Sequence, residues 1–234
     1  MIDSGPDDSL ERFVPDIPFE YDGTIIEVGL EVVGFTIAPP DFEGGTPRFL
    51  VAVRNTSFDL RLCALDFRME FDDSSGTYIA LARGVIEGVP HRGVSGTGRL
   101  TYCLSPGDVG MMSVFLELGG GYTVEDIASA RWQAGAINLT DAVRTSDLLV
   151  TDLEVIPDGT RYAFRGRMQN RSSATVQSPQ IKVFGVNAVG RPMVMGSEIE
   201  LISVSAGTSW FFETLTFATN DFESMVAFPQ ARDL

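Results

Sequence analysis

The sequence is poor in histidine, lysine and cysteine. His91 is the only histidine, so histidine-based triads and histidine-rich metal centres are excluded unless they use His91 itself. Lys182 is the only lysine among 17 basic residues, which face 32 acidic ones. The formal charge of −15 argues against broad contact with nucleic acid phosphates or an anionic membrane surface. No nucleic acid partner is therefore expected.

Long apolar runs and helical periodicity are also missing. No segment approaches the roughly 18 apolar residues of a membrane span, and no basic-then-apolar signal segment opens the chain, so no transmembrane segment is expected. Residues 1–23 are acidic, contain three prolines and are predicted to form a flexible lead. Such a lead fits a mature secreted protein, including one whose native precursor carried a lipid anchor, or a cytoplasmic protein with a frayed start.

Alternating apolar and polar residues, bounded by Gly, Pro, Asn, Asp and Ser, recur instead and are typical of β-strands. In the first part of the chain the predicted strands are 25–37, 48–55, 63–71, 77–83, 98–104, 111–118 and 127–134. In the second part they are 148–156, 161–170, 181–187, 192–196, 198–204, 210–217 and 224–231.

The two sets of strands are copies of each other. Asn55 and Asn170 are 115 residues apart, whereas Gly107 and Gly207 are 100 apart, because the first copy contains an insertion at 84–98. Seven strands per copy predict an all-β fold of two tandem immunoglobulin-like β-sandwich domains. The predicted boundaries are 1–23 for the lead, 24–138 for the first sandwich and 141–234 for the second.

Short turn motifs in the first copy resemble the FxLYD-type and late-embryogenesis-type immunoglobulin-like domains. The motif residues are Asn55, Thr56 and Ser57, then Phe71, Asp72, Asp73 and Gly76, then Leu104, Ser105, Pro106 and Gly107. The second copy departs, with Ala206 in place of the proline. The resemblance implies bacterial or archaeal extracytoplasmic modules without known catalysis, and it carries over no site residues.

The acidic stretch from Asp72 to Gly76 is predicted to be a turn. One face of the preceding strand is apolar and the other charged, and the stretch supplies turn-forming side chains and a glycine. A calcium loop needs about six or more oxygen ligands. The stretch offers two carboxylates and the second copy offers none at the equivalent place. No metal site and no cofactor are predicted.

The two cysteines are predicted to be free thiols. In the expected topology Cys63 begins the third strand and Cys103 ends the fifth, near the opposite end of the sandwich. Six or seven strand residues would separate them by roughly 20 Å, beyond the ~7 Å Cα limit of a disulfide.

No catalytic residue is predicted, and the chain is not expected to be an enzyme. His91 lies in the glycine-rich insertion and is interpreted as a loop residue. Carboxylate pairs such as Glu125 with Asp126 have the right chemistry for glycoside hydrolysis but no distinguishing context.

A row of arginines is the first candidate for a partner surface. Arg161, Arg165 and Arg167 share one face of a predicted strand, which would suit an anion or an acidic partner. The alternative is cross-strand pairing with Glu198 and Glu200 on the predicted fifth strand.

Two strands with apolar residues on both faces are the second candidate. Trp210 and Phe212 oppose Phe211 and Leu215, and the first copy places Met111 and Phe115 on one face of a similar strand. Only one face of a strand lines the core, so the other domain, the linker or a partner has to cover the second face.

The function predicted from these patterns is a non-catalytic extracytoplasmic binding or assembly module of a prokaryotic cell envelope, with a protein or glycan partner. A structural spacer that holds an anchored protein away from a membrane is the first alternative. A carboxylate-based hydrolase is the second.

Overall fold

Strands joined by turns account for almost all regular structure in the computed structural model of the chain. The structure describes residues 19–21, 29–38, 45–92, 100–138, 143–144, 147–200, 202–217 and 219–233. Within these ranges there is one 3₁₀ turn, Val124–Asp126, and no α-helix. None of the helical structure described is long and apolar enough to cross a lipid bilayer. The predicted all-β class is confirmed.

Eleven strands lie in the described part of the first half. They are β1 (Phe19–Tyr21), β2 (Leu30–Ala38), β3 (Arg48–Asn55), β4 (Leu62–Asp72), β5 (Tyr78–Val85), β6 (Val89–Arg92), β7 (Leu100–Leu104), β8 (Val109–Phe115), β9 (Glu117–Leu118), β10 (Ser129–Asn138) and β11 (Val143–Arg144).

Among the described residues of the second half there are seven strands. They are β12 (Leu148–Asp158), β13 (Arg161–Asn170), β14 (Val176–Val186), β15 (Pro192–Ile199), β16 (Ser203–Val204), β17 (Ser209–Glu213) and β18 (Ser224–Asp233).

Most strands lie where the alternation predicts them, but several details differ. β3 and β13 begin and end at the predicted residues, whereas the strand expected over 198–204 is reduced to β16. Phe19–Tyr21, predicted to belong to an irregular lead, pairs with β10 as a parallel strand. His91, predicted to lie in a loop, belongs to β6. Residues 1–18 of the predicted lead and the predicted boundary at 139–140 lie outside the described residues.

The two halves repeat one sheet order. In the first half β2, β3 and β8 form a three-stranded sheet, and β5, β4 and β10 lie side by side in an eight-stranded sheet. In the second half β12, β13 and β17 form a three-stranded sheet, and β15, β14 and β18 lie side by side in a four-stranded sheet. The larger sheet of the first half also contains β6, which lies in the insertion, and β7, which pairs with β4 as β16 pairs with β14 in the second half.

Each half buries its own hydrophobic cluster, because alternate residues of both of its sheets point between them. Phe35, Phe49 and Phe71 pack with ring centroids 5.7–6.2 Å apart in the first cluster. Phe164 and Phe217 pack at 4.4 Å in the second.

Two buried asparagines support equivalent corners in the two halves. Asn55 Nδ2 donates to the carbonyl oxygens of Leu60 and Leu104, at 2.8 and 2.9 Å. Its Oδ1 accepts from the Ser57 N–H and hydroxyl, at 3.0 and 2.6 Å. The side-chain amide is therefore fully hydrogen-bonded. Gly107, at φ 84°, completes the corner by donating its N–H to the Asn55 carbonyl.

Asn170 makes the same set of bonds. Its Nδ2 donates to the carbonyls of Ala174 and Val204, at 2.8 and 3.0 Å, and its Oδ1 accepts from the Ser172 N–H and hydroxyl. Gly207, at φ 76°, donates its N–H to the Asn170 carbonyl. The Asn-x-Ser motif that repeats in the sequence is thus a hydrogen-bonded strand corner in both halves.

The stretch from Asp72 to Gly76 is a turn, as predicted. Asp73 Oδ1 accepts hydrogen bonds from the Ser75 hydroxyl, the Ser75 N–H and the Thr77 N–H, at 2.6–2.9 Å. These bonds, that of the Ser75 hydroxyl first, hold the pKa of Asp73 below its usual value. The Asp73 carboxylate therefore stabilises the turn through local hydrogen bonds.

Cys63 and Cys103 form a disulfide, so the prediction of two free thiols is wrong. They stand opposite each other where β4 pairs with β7, and their Cα atoms are 4.0 Å apart. The prediction placed Cys103 at the far end of the sandwich. In the structure β7 instead runs antiparallel to β4, so its end, which contains Cys103, lies beside the start of β4.

Candidate functional site

The outward surface of the β12–β13–β17 sheet contains the predicted arginine row. Side chains alternate along β13, so Phe164 and Met168 point into the core while Arg165 and Arg167 point outward. On β17, Phe212 points into the core and Phe211 outward. The outward side chains of these three strands are called the outer face below.

The arginines of this row are paired, but not with the predicted partners. Arg165 donates to Glu213 Oε2 at 2.8 Å, across the β13–β17 pair. Arg161 donates to the Thr216 carbonyl at 3.1 Å. The strand that pairs with β13 is β17 and not the predicted fifth strand. Glu198 therefore lies in the other sheet, opposite Ile181.

Arg167 has a different neighbour, the ring of Phe211. The guanidinium carbon lies 5.9 Å from the ring centroid, which is the geometry of a cation–π contact. In the described part of the chain no carboxylate lies within ion-pair distance of Arg167. The outer face thus presents one carboxylate-paired arginine and one arginine that contacts an aromatic ring.

The apolar residues of the outer face are not those predicted. Phe212 is buried in the second-half core, and Trp210 is half-buried against it, so these two cannot form an exposed apolar surface. Phe211, on the opposite side of β17, is 72% exposed, and Leu215, two residues past the end of β17, is 70% exposed. The sequence alone did not decide which of the two apolar sides lines the core.

Of the two matching residues of the first half, one is covered and one is exposed. Met111, predicted as partner surface, is buried in a third apolar cluster. This cluster, called the joint below, combines Leu50, Ala52 and Met111 of the first half with Phe184, Val186 and Phe228 of the second. Of the predicted alternatives, the second half is therefore what covers Met111. Phe115 remains 58% exposed, with the Arg48 guanidinium 4.6 Å from its ring centroid.

A buried polar network lies beside the joint. Glu87 of the insertion pairs with Lys182, the only lysine of the chain, and its second carboxylate oxygen accepts from Gln230 Nε2. The Gln230 side-chain oxygen accepts from the Tyr102 hydroxyl and from Gln180 Nε2, both at 2.6 Å. Glu87 and Tyr102 come from the first half and the other residues from the second, so the network ties the halves together.

Glu87→Ala is expected to lower the free energy of unfolding by about 2 kcal/mol, because it leaves Lys182 and Gln230 without their acceptor in a buried place. The cost is below that of a fully buried pair, since the Lys182 side chain is 30% exposed. Urea unfolding measures it. Glu87→Met combined with Lys182→Met is the control, because removing both charges together should cost much less. Equal losses in the single and double variants would contradict the assignment.

A cleft of about 440 Å³ opens next to the joint. Val89, Leu104 and Val109 line it from the first half, and Leu148, Val150 and Phe228 from the second. Asp108 is the only charged lining residue, and its carboxylate accepts from the Ser105 N–H at 2.8 Å. The cleft has the volume of a small ligand site but few polar groups that could orient a ligand.

The described residues bring together no group of three or more His, Cys, Asp or Glu side chains that could hold a metal ion. The site residues missed from the sequence are Phe211 and Leu215. The offset of 100 residues between Gly107 and Gly207 could have identified them. It aligns Met111 with Phe211 and not with Trp210, so the side of the strand that contains Met111 corresponds to the side that contains Phe211.

No family model matches the chain, and no curated protein sequence matches it. Among solved structures it is similar to a red sea bream transglutaminase, with 10% identity and a TM-score of 0.24 over 87% of this chain. It spans 29% of that enzyme. A second neighbour comes from a structure titled as a chaperone–tip adhesin complex of CFA/I fimbriae biogenesis, with 12% identity and a TM-score of 0.17 over 85% of this chain and 98% of the other.

Proposed function

We propose that the chain is a non-catalytic extracytoplasmic module of a prokaryotic cell envelope that binds a protein or glycan partner. In this proposal the two halves are tandem immunoglobulin-like sandwiches, and the outer face of the second is the binding surface. The observation that carries it is the exposure of Phe211 opposite Arg167, with Leu215 also exposed just past the end of β17. Aromatic side chains and arginine are enriched in protein interfaces, which favours a protein partner over a glycan.

The disulfide supports the extracytoplasmic part of the proposal. Disulfides persist in the periplasm and at cell surfaces, and they are rare in the reducing cytosol of ordinary organisms. Cys63 and Cys103 are both buried, so the bond is shielded from solvent thiols.

Thiol alkylation in intact cells of the source organism tests the compartment. After rapid acid quenching and denaturation, a maleimide of high mass should leave the chain unshifted unless it is first reduced with dithiothreitol. Addition of two labels without prior reduction would place the folded chain in a reducing compartment and overturn this part of the proposal.

Photocrosslinking tests the binding surface. A benzophenone amino acid replaces Phe211 in the cell, and the same residue replaces Phe58, a control that is 97% exposed and lies in the other half. We expect a discrete adduct from position 211 and none of the same mass from position 58. Identical adduct patterns at both positions would remove the outer face as the binding surface.

A rigid spacer is the second candidate function, and the joint favours it. Apolar packing together with the network of Glu87, Lys182 and Gln230 resists bending between the halves. Small-angle scattering tests this candidate, since a single rigid shape should fit the profile of the wild-type chain. A requirement for an ensemble of bent shapes would contradict it.

A further inference from the structure

One edge of β17 has no backbone partner in the described part of the chain. The Thr214 N–H donates to the Phe164 carbonyl on β13 at 2.9 Å. Backbone groups alternate sides along an antiparallel strand, so the even-numbered residues of β17 bond to β13 and the odd-numbered ones point away. The N–H and C=O groups that face the open edge belong to Ser209, Phe211 and Glu213.

The equivalent edge in the first half is closed by the chain itself. The Glu87 N–H donates to the Met111 carbonyl at 2.7 Å, and the Met111 N–H donates to the Glu87 carbonyl at 3.2 Å. Met111 is the counterpart of Phe211, 100 residues before it. Glu87 belongs to the insertion at 84–98, which the second half lacks, and no described residue of that half bonds to the backbone of Phe211 in the same way. β15 approaches this side of the chain only past the end of β17, where the Leu215 N–H donates to the Ser197 carbonyl at 3.1 Å.

Core packing does not require the missing segment in the second half. In the first half the side chain of Ile86 is buried beside Gly110, where an added Cβ would lie 2.4 Å from it. Trp210 stands at the position equivalent to Gly110, and its side chain packs against the second core. In the second half a residue of β17 itself therefore supplies the apolar side chain for which the first half uses Ile86 of the insertion, and the backbone edge of β17 is left open.

We propose that a second copy of this chain closes the β17 edge, with the two β17 strands antiparallel about a two-fold axis at Phe211. In this register the odd-numbered residues of both strands exchange backbone hydrogen bonds, as Glu87 and Met111 do in the first half. Phe211 faces Phe211 of the second copy, and Ser209 faces Glu213. Aromatic cross-strand pairs stabilise sheets, and the register puts no like charges opposite each other. This inference does not depend on the compartment or on a foreign partner.

The net charge of the chain affects the strength of this association. Each copy has a formal charge of −15, so two copies repel over long distances. Added salt screens charges more than about 10 Å apart while leaving backbone hydrogen bonds in place. Self-association is therefore expected to strengthen as salt is raised from low ionic strength.

Sedimentation equilibrium of the full chain over a wide concentration range tests the proposal. The expected result is a reversible shift from the 25.4 kDa monomer towards twice that mass. Phe211→Lys places two lysines opposite each other and should weaken association at least about tenfold, which corresponds to 1.4 kcal/mol. Phe115→Lys is the matched control, because Phe115 is also an exposed phenylalanine beneath an arginine.

A gain-of-association variant tests the register. Ser209→Arg would face Glu213 of the second copy and is expected to tighten association about threefold through two exposed ion pairs. A chain that stays monomeric at every concentration and salt level overturns the proposal, and the β17 edge is then a short, tolerated one. Equal weakening by Phe211→Lys and Phe115→Lys also overturns it.

In the cellular crosslinking experiment, an adduct of twice the chain mass supports self-association, and one of any other mass supports a foreign partner.

Discussion

Asn170→Ala is expected to lower the free energy of unfolding by about 3 to 5 kcal/mol. The substitution removes the side-chain partner of the Val204 carbonyl and of the Ser172 N–H, and it leaves the Ala174 carbonyl with the Ser172 hydroxyl as its remaining side-chain donor. Each unsatisfied buried group costs about 1–3 kcal/mol. Asn170 is fully buried, so water cannot readily replace the amide. Because Asn55 makes the same bonds at the same burial, Asn55→Ala is expected to cost a similar amount.

Urea unfolding of both variants measures the effect, with Asn187→Ala as the control. The Asn187 side chain also supports a turn, accepting from the N–H groups of Val189 and Arg191, but it is only half-buried. Water can reach its partners, so its loss should cost about 1 kcal/mol or less. If all three alanine variants lose the same stability, burial of the two corner asparagines is not what makes them important.

Removal of the disulfide is expected to cost about 4 kcal/mol. The bond closes a loop with a sequence separation of 40 residues, and the chain-entropy relation gives about 4 kcal/mol for a loop of that length. Cys63→Ala combined with Cys103→Ala is the suitable variant, because both side chains are buried and alanine introduces no polar atom. The folded wild-type chain with its bond intact is the reference.

Urea unfolding of the double variant should show a lower midpoint with a steeper dependence on urea, because a chain without the cross-link exposes more surface when unfolded. The wild-type chain unfolded in dithiothreitol provides the control, since it removes the same cross-link without changing the sequence. An unchanged free energy of unfolding in both measurements would mean that the disulfide does not stabilise the fold by restricting the unfolded chain.

The strands, the turns and the repeat could be predicted from the sequence because they depend on local signals. Alternation with a period of two marks a strand wherever one face is buried, and β3 and β13 accordingly begin and end at the predicted residues. The Asp73 turn follows from side chains that bond to amides within four residues. The offset between Asn55 and Asn170 likewise marks a corner whose bonds are the same in both halves.

Pairings between distant strands could not be predicted in this way. Cys63 meets Cys103 because β7 runs antiparallel to β4 and pairs with its start, and nothing in the spacing of the cysteines fixes that neighbour. Arg165 pairs with Glu213 and not with Glu198, since strand order decides which charges face each other. The exposure of Phe211 is of the same kind, because both sides of its strand are apolar.

The sequence by itself determined the all-β class, the duplication and the acidic turns, because strand alternation and turn chemistry act between residues close along the chain. Tertiary structure alone decided the disulfide, the burial of Met111 at the joint and the open edge of β17. These features depend on which strands become neighbours. Which strands become neighbours depends on the packing free energy of the whole core, and that free energy cannot be read from any single segment of the sequence.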